Sequence, residues 1–358
     1  MDPVQPLVIT ATQVTPYQKP FQKPFMIGTK EISVREGLIL TVQAGEVTGQ
    51  GEITPLEGVS LETLKKARHD LSVIKPYLCG LCVIASEAKQ SFKRSPRPFQ
   101  GLAMTPGCAE ILDFLRNFRP LQEMCPSVRF GVESAIFNLV CHFQKITLAK
   151  FLGSPLRHIS TAVLLQGSAE QIMQEAKDFV SGGYKVFKLK VGSRNIPLDV
   201  KKVVQLRQVI TQDAVIRLDA NRAWSTNEAV LFGQLIGPER IEFIEEPLKD
   251  MGQIGTFYQK THLPVALDES LNTVGDSCST VPYVKAYVLK PTVLGGITVT
   301  LDWIQQAKSL RKKAIISSCF ESAVGLSVLK NLALLTGEVP GLGTNRWFNY
   351  EGGPSNGT

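Results

Sequence analysis

The chain has 358 residues, 44% of them hydrophobic and 20% charged, with a formal net charge of +7. That is the composition of a globular chain long enough for a large core, in two domains or in one domain with an elaboration. No apolar run approaches the ~18 residues of a membrane span, and the scattered basic residues contain no zinc-finger, aromatic-basic or basic-helix signature. Neither a membrane nor a nucleic-acid partner is expected. The modest positive excess suits a small anionic substrate. The first residues show no basic segment leading into an apolar core, so no secretory signal is expected. The seven cysteines are widely spread. They read as free thiols in a cytoplasmic protein, since no second Cys pair or close His pair joins Cys79 and Cys82 in a zinc set.

In chain order, residues 4–14 and 32–42 read as strands, and Val47–Ile53 pairs back across the break at Gly45. Between the first two lies Tyr17–Phe25, in which Gln-Lys-Pro-Phe occurs twice. Proline at that density opposes regular structure. The stretch is expected to be a loop, either a linker or a lid whose Lys19 or Lys23 reaches a substrate. Ser60 suits the N-cap of a helix over Leu61–Ile74. Pro126-Ser127 opens a helix to about His142, with Val128, Val132, Ala135, Ile136 and Leu139 at helical spacing. Residues 80–107 read as a basic, proline-broken surface insertion.

From about residue 160, strands and helices alternate. Candidate strands are Ala162–Leu165, Val186–Lys190, Val215–Asp219, Ile241–Glu245, Val265–Asp268, Ala286–Lys290, Ala314–Ser318 and a poor eighth near Leu342. Amphipathic helices lie over Ala169–Val180, Leu198–Ile210, Asn227–Leu235 and Ile297–Lys312. A repeat of about 22–29 residues is that of βα units closing into an eightfold barrel. An open parallel sheet is the alternative, but neither a dinucleotide glycine fingerprint nor a phosphate-binding lysine loop is present. The expected fold class is α/β, a modified (β/α)8 TIM-type barrel with an N-terminal α+β capping domain. The capping domain is placed at 1–158, the barrel at 159–345 and a short C-terminal tail at 346–358.

Residues two apart in a strand share a face, so Lys188 and Lys190 project together from an otherwise apolar run. Such a pair is either a solvated polar face or part of a site that uses the charge. Mutual repulsion and partial burial are expected to lower both pKa values, which suits a base near neutral pH. The later strands favour the site. Asp219, Glu245, Asp268 and Lys290 end candidate strands three to six, and Ser317 and Ser318 end the seventh. In a barrel these carboxyl ends converge on one mouth, where catalysis is located. Three carboxylates from adjacent strands repel one another unless a hard divalent cation binds, and oxygen-only ligation favours Mg²⁺, with Mn²⁺ as the alternative.

These motifs resemble those of the enolase superfamily, whose lysine bases and Mg²⁺-stabilised enediolates are a known general chemistry. The likeness is carried by Lys188-Leu189-Lys190-Val191-Gly192, Ile244-Glu245-Glu246-Pro247, Leu267-Asp268-Glu269-Ser270 and Leu289-Lys290-Pro291-Thr292. More narrowly, Arg217-Leu218-Asp219-Ala220-Asn221-Arg222-Ala223-Trp224 and Ile316-Ser317-Ser318-Cys319-Phe320-Glu321-Ser322 resemble the o-succinylbenzoate synthase family of menaquinone biosynthesis. Gly51-Glu52-Ile53-Thr54-Pro55-Leu56 and Pro126–Val132 resemble that family's capping-domain loop and helix start.

The resemblance implies that Asp219, Glu245 and Asp268 ligate Mg²⁺. It makes Lys190 the base, Lys188 its electrostatic neighbour and Lys290 the cation facing them. Arg217 and Asn221 share the face of Asp219 and are expected to line the pocket, while Ser317 and Gly341 match positions that hold a substrate carboxylate. The implied reaction is dehydration of 2-succinyl-6-hydroxy-2,4-cyclohexadiene-1-carboxylate. N-Acylamino acid racemases, dipeptide epimerases and muconate cycloisomerases share the lysines and remain alternatives, as does a non-catalytic binding protein on this fold. The Asp-x-Asp that some epimerases carry near strand eight is replaced by Gly341-Leu342-Gly343.

Overall fold

Alternation of apolar and polar residues makes a strand with one buried face. Leu38, Leu40 and Val42 are buried while Gln43 and Glu36 are exposed, and this run forms the centre of the N-terminal sheet. A computed structural model describes residues 7–27, 30–84, 107–154, 158–271 and 281–348. Strand β1 (Leu7–Val8) pairs with the short β5 (Cys82–Ile84). Strands β2 (Ala11–Ile27), β3 (Lys30–Ala44) and β4 (Val47–Ile53) form an antiparallel sheet with β3 in the middle.

The expected loop at Tyr17–Phe25 is thus a strand. Its prolines are tolerated because β2 lies at the sheet edge, where a missing N–H need not break a ladder. The pairing slips between Pro20 and Phe25, and there Phe21 bridges to Phe348 at the far end of the chain.

Helix α1 runs over Leu64–Leu78, three residues later than expected, because Thr63 rather than Ser60 accepts from the Lys66 amide, at 3.2 Å. The Ser60 hydroxyl instead accepts from Leu56 N at 2.9 Å, folding the loop before the helix. Helices α2 (Cys108–Asn117) and α3 (Arg119–Gln122) lead to α4 (Pro126–Gln144). Apolar residues surround α4 on nearly every face, and it is buried between β4 and the barrel. A Cβ on Gly51 would lie 1.8 Å from the Gly131 carbonyl, so only glycine lets this strand and helix touch. The basic insertion lies for the most part, at 85–106, outside the described residues, as do residues 349–358 of the tail.

After α5 (Leu148–Phe151), the chain alternates. Strands β6 (Val163–Leu165), β7 (Val186–Lys190), β8 (Val215–Asp219), β9 (Ile241–Glu245), β10 (Val265–Leu267), β11 (Val284–Leu289) and β12 (Lys313–Ile316) are parallel neighbours in chain order. Between and after them run α6 (Ala169–Ser181), α7 (Ile196–Val209), α8 (Thr226–Ile236), α9 (Ile254–Thr261), α10 (Pro291–Leu294), α11 (Ile297–Ser309) and α12 (Ala323–Thr336).

The poor eighth strand is a single bridge. Gly341 N donates to Ile316 O at 2.9 Å on one side, while Ala162 N donates to Pro340 O at 2.8 Å on the other. The segment 340–342 so closes the ring between β12 and β6.

Two buried glutamates from the N-terminal part dock onto barrel helices. Glu52 accepts from Ser322 N at 2.9 Å and from Gly325 N at 2.8 Å, at the start of α12. Glu133 accepts from Thr298 N at 2.9 Å and from Thr298 Oγ1 at 2.7 Å, at the start of α11. Each satisfies amides that a helix start leaves unpaired, and each favours the positive end of a helix dipole.

Candidate active site

Strand register brings the charged ends together. Lys190 pairs with Asp219, and Asp219 with Glu245, across β7, β8 and β9. Asp268 and Lys290 follow the last residues of β10 and β11. Lys188 Nζ bridges two carboxylates, at 2.7 Å from Asp219 Oδ2 and 2.8 Å from Glu245 Oε2. Lys190 Nζ donates to the same Asp219 Oδ2 at 2.7 Å and to Asn221 Oδ1 at 2.5 Å. Lys290 Nζ is paired with Asp268. Lys188, Lys190, Lys290, Asp219, Asn221 and Ser317 all line a cavity of about 610 Å³ at the mouth.

Electrostatics there runs against one expectation. Burial disfavours the Lys188 ammonium, but Asp219 and Glu245 outweigh burial and hold its pKa well above the ordinary lysine value. Carboxylates within 3 Å of the ammonium group exceed both the repulsion between lysines and the cost of burial. Lys290 is shifted the same way, with Asp268 overcoming burial.

The carboxylates divide. Burial pushes Asp219 up, yet Lys188 and Lys190 together hold it well below the usual carboxylate range. Burial and the nearby Asp219 push Glu245 up to about 8. Asp268 is also raised, by burial, and it lies within hydrogen-bonding reach of Glu245.

Two buried carboxyl groups so close require a proton or a cation between them. That is the observation that fits a divalent metal to Asp219, Glu245 and Asp268, whose hard oxygen donors suit Mg²⁺. Among the described residues no three acidic, His or Cys side chains converge as a ready metal cage; lysine ammonium groups stand among the carboxylates instead.

Of the other expected residues, Arg217 does not line the cavity. It faces the barrel interior one layer below Asp219, where its Nε donates to Glu242 Oε2 at 2.7 Å and one guanidinium NH₂ donates to the Val339 carbonyl at 2.6 Å. Period two places Arg217 on the correct face but says nothing of depth. Gly341 lines the cavity, but its amide already donates to Ile316, so it offers space rather than a donor.

Glu246 is fully buried with its backbone left-handed at φ 44°. It accepts from Asp268 N at 2.9 Å and Ser270 N at 2.8 Å, and pairs with Arg222 Nε at 2.9 Å, so it shapes the turn that presents Asp268.

Sequence reasoning missed Glu269, which accepts from Asn221 Nδ2 at 2.9 Å. Its position directly after a strand-end acid was the available signal. It also missed the apolar wall of Leu56, Cys319 and Phe320, where Phe21 stacks on Phe348 with centroids 4.7 Å apart. That wall joins β2 to the barrel mouth and has no local signature.

The family model described as enolase C-terminal domain-like matches residues 171–351, and the MenC N-terminal domain model matches residues 9–81. The o-succinylbenzoate synthase of Aliivibrio fischeri strain MJ11 is 30% identical over 340 residues, covering 94% of this chain and 90% of its own. That of Shigella boydii serotype 4 is 29% identical, covering 93% and 90%.

Among solved structures, the muconate lactonizing enzyme of Pseudomonas fluorescens complexed with muconolactone superposes with TM-score 0.80 at 17% identity, covering 97% of this chain and 91% of its own. The L-Ala-D/L-Glu epimerase of Bacillus subtilis gives 0.79 at 20%, covering 96% and 92%. The dipeptide epimerase of Enterococcus faecalis complexed with Mg and a dipeptide gives 0.78 at 20%, covering 93% and 89%. These structural likenesses are of fold.

Proposed function

The chain belongs to the o-succinylbenzoate synthase family of the enolase superfamily, and from that premise we propose that its barrel mouth dehydrates 2-succinyl-6-hydroxy-2,4-cyclohexadiene-1-carboxylate to o-succinylbenzoate. The observation that carries the chemistry is the set of three lysines lining one cavity, each paired with one or more of the buried carboxylates Asp219, Glu245 and Asp268.

The difficulty of the reaction is removal of a weakly acidic proton beside a carboxylate. Enzymes of this superfamily are generally Mg²⁺-dependent, and Asp219, Glu245 and Asp268 are the residues that would hold the ion here. When bound, Mg²⁺ supplies positive charge to the substrate carboxylate as the adjacent proton leaves.

Lys190 carries both proton transfers. Its neutral amine takes the proton from the carbon bearing the carboxylate. Its ammonium then gives that proton to the hydroxyl on the next carbon, whose C–O bond breaks with the electron pair leaving on oxygen as water. One lysine on one face serves as base and then acid, and aromatisation of the ring drives the second step. Lys188 lies beside it and balances Asp219 and Glu245. Lys290 adds positive charge from the opposite side. Ser317 is a neutral polar group offered to the substrate, while Asn221 accepts from Lys190. The apolar wall of Leu56 and Phe320 excludes water from the ring face.

The test is direct. Purified protein with Mg²⁺ and the cyclohexadiene substrate is expected to form o-succinylbenzoate. EDTA is expected to stop the reaction, and excess Mg²⁺ to restore it. Absence of turnover with the metal site saturated would reject this reaction.

A further inference from the structure

Lys190 has two hydrogen-bond acceptors, Asp219 Oδ2 and Asn221 Oδ1. The first is shared, because Lys188 Nζ donates to the same oxygen at 2.7 Å. Asn221 is held in turn: its Nδ2 donates to Glu269 Oε1 at 2.9 Å. Among the described residues Asn221 is the one donor to that carboxylate, whose other oxygen is buried without a partner.

From this chain of contacts we infer that Glu269 is a positioning residue, which fixes the amide of Asn221 so that only its oxygen can face Lys190. The inference rests on the role assigned to Lys190 above. An ionised carboxylate only accepts hydrogen bonds, so it can face only the NH₂ end of an asparagine. The carbonyl end must then point at the lysine.

That direction matters for a base. A neutral amine has two N–H donors and one lone pair. An acceptor at Asn221 takes one N–H and leaves the lone pair for the substrate. A flipped amide would donate its NH₂ to that lone pair and occupy the base. The backbone helps hold the arrangement, since Asn221 sits left-handed at φ 43°, a conformation asparagine tolerates better than most residues. Asp219 Oδ2 is shared between Lys188 and Lys190, whereas the Asn221 oxygen accepts from Lys190.

The experiment compares the wild type with Glu269→Gln, Asn221→Asp and the double variant, all with saturating Mg²⁺. Glutamine is close in shape to glutamate but can donate, so the amide loses its fixed direction. Glu269→Gln is expected to lower kcat about tenfold to a hundredfold, with KM and the affinity for the product o-succinylbenzoate within about twofold of wild type. The double variant restores the logic with the roles exchanged: the new aspartate accepts from Lys190 and from the glutamine. Its loss in kcat is expected to be smaller than the product of the two single-variant losses, because both substitutions act through one contact.

Three outcomes would overturn the inference: an unchanged kcat in Glu269→Gln, losses that multiply in the double variant, or an increased Mg²⁺ requirement in Glu269→Gln, which would make the residue a metal ligand. A wild type without turnover rejects the reaction itself, and the variant comparison separates the two failures.

Discussion

At the foot of the barrel, Glu242 accepts from Arg217 at 2.7 Å and from Lys313 at 2.6 Å, and Lys313 also reaches Glu338 at 2.9 Å. At the mouth, Lys188 and Lys190 share Asp219, while Glu245 and Asp268 crowd one another. Both ends bury lysine or arginine against carboxylates. The foot matches two cations to two acids. Burial pushes Glu242 up, but Arg217 and Lys313 more than reverse it. The mouth sets more acid groups side by side around an open space, and Glu245 goes the other way, to about 8. The same residue types therefore give a strut at one end and an open cluster of oppositely shifted charges at the other. Balance and access decide which.

The comparison breaks most sharply at Lys190. Lys190→Ala is expected to lower kcat about a thousandfold or more, with the melting temperature near that of wild type. A steady-state assay beside a thermal melt checks both. A large loss of stability instead would make the lysine a strut like Arg217.

The foot is expected to show the opposite pattern. Glu242→Ala leaves Arg217 and Lys313 facing one another without their shared acid, which should cost about 3–5 kcal/mol. Urea unfolding measures it, and kcat in the surviving folded protein should change less than about threefold.

Glu52→Ala removes the acceptor for the α12 amides and for Tyr17. The expected loss is about 2 kcal/mol of stability, with a raised KM because the cap then seats less firmly over the mouth.

The smallest effect is one of pH. Glu245 has its folded pKa raised from 4.5 to about 8. Between those values the folded state holds a proton that the unfolded state has lost, so stability falls as pH rises through that window. Metal-free protein is expected to melt lower at pH 8 than at pH 5. Added Mg²⁺, or Glu245→Gln, should flatten that slope. Glu242 has the reverse sign: its contribution is full above the ordinary carboxylate range and is lost as pH falls through its lowered folded pKa.

Much of the fold was legible in the sequence. Strands β7, β8 and β9 fall at the expected residues because five-residue apolar runs bounded by turns are local signals. The convergence of Lys188, Lys190, Asp219, Glu245, Asp268 and Lys290 follows from strand ends in a parallel ring. Strand β2 was not legible, because proline is judged by its local cost and only the sheet order reveals an edge. Arg217 was placed on the correct face and the wrong level, since its partner Glu242 and the Val339 carbonyl are 25 and 122 residues away in sequence.

By itself, the sequence determined which side chains share a face and which strands end in charge, because period and turn chemistry act over a few residues. Tertiary structure alone decided the rest. Ring closure rests on a bridge at Gly341 rather than a strand, because Ile316 and Ala162 supply the partners to either side of it. The direction in which each charge is shifted depends on the number of opposite charges within about 3 Å, and those neighbours come from other strands. Lys188 is a held ammonium and Glu245 a raised acid for that reason.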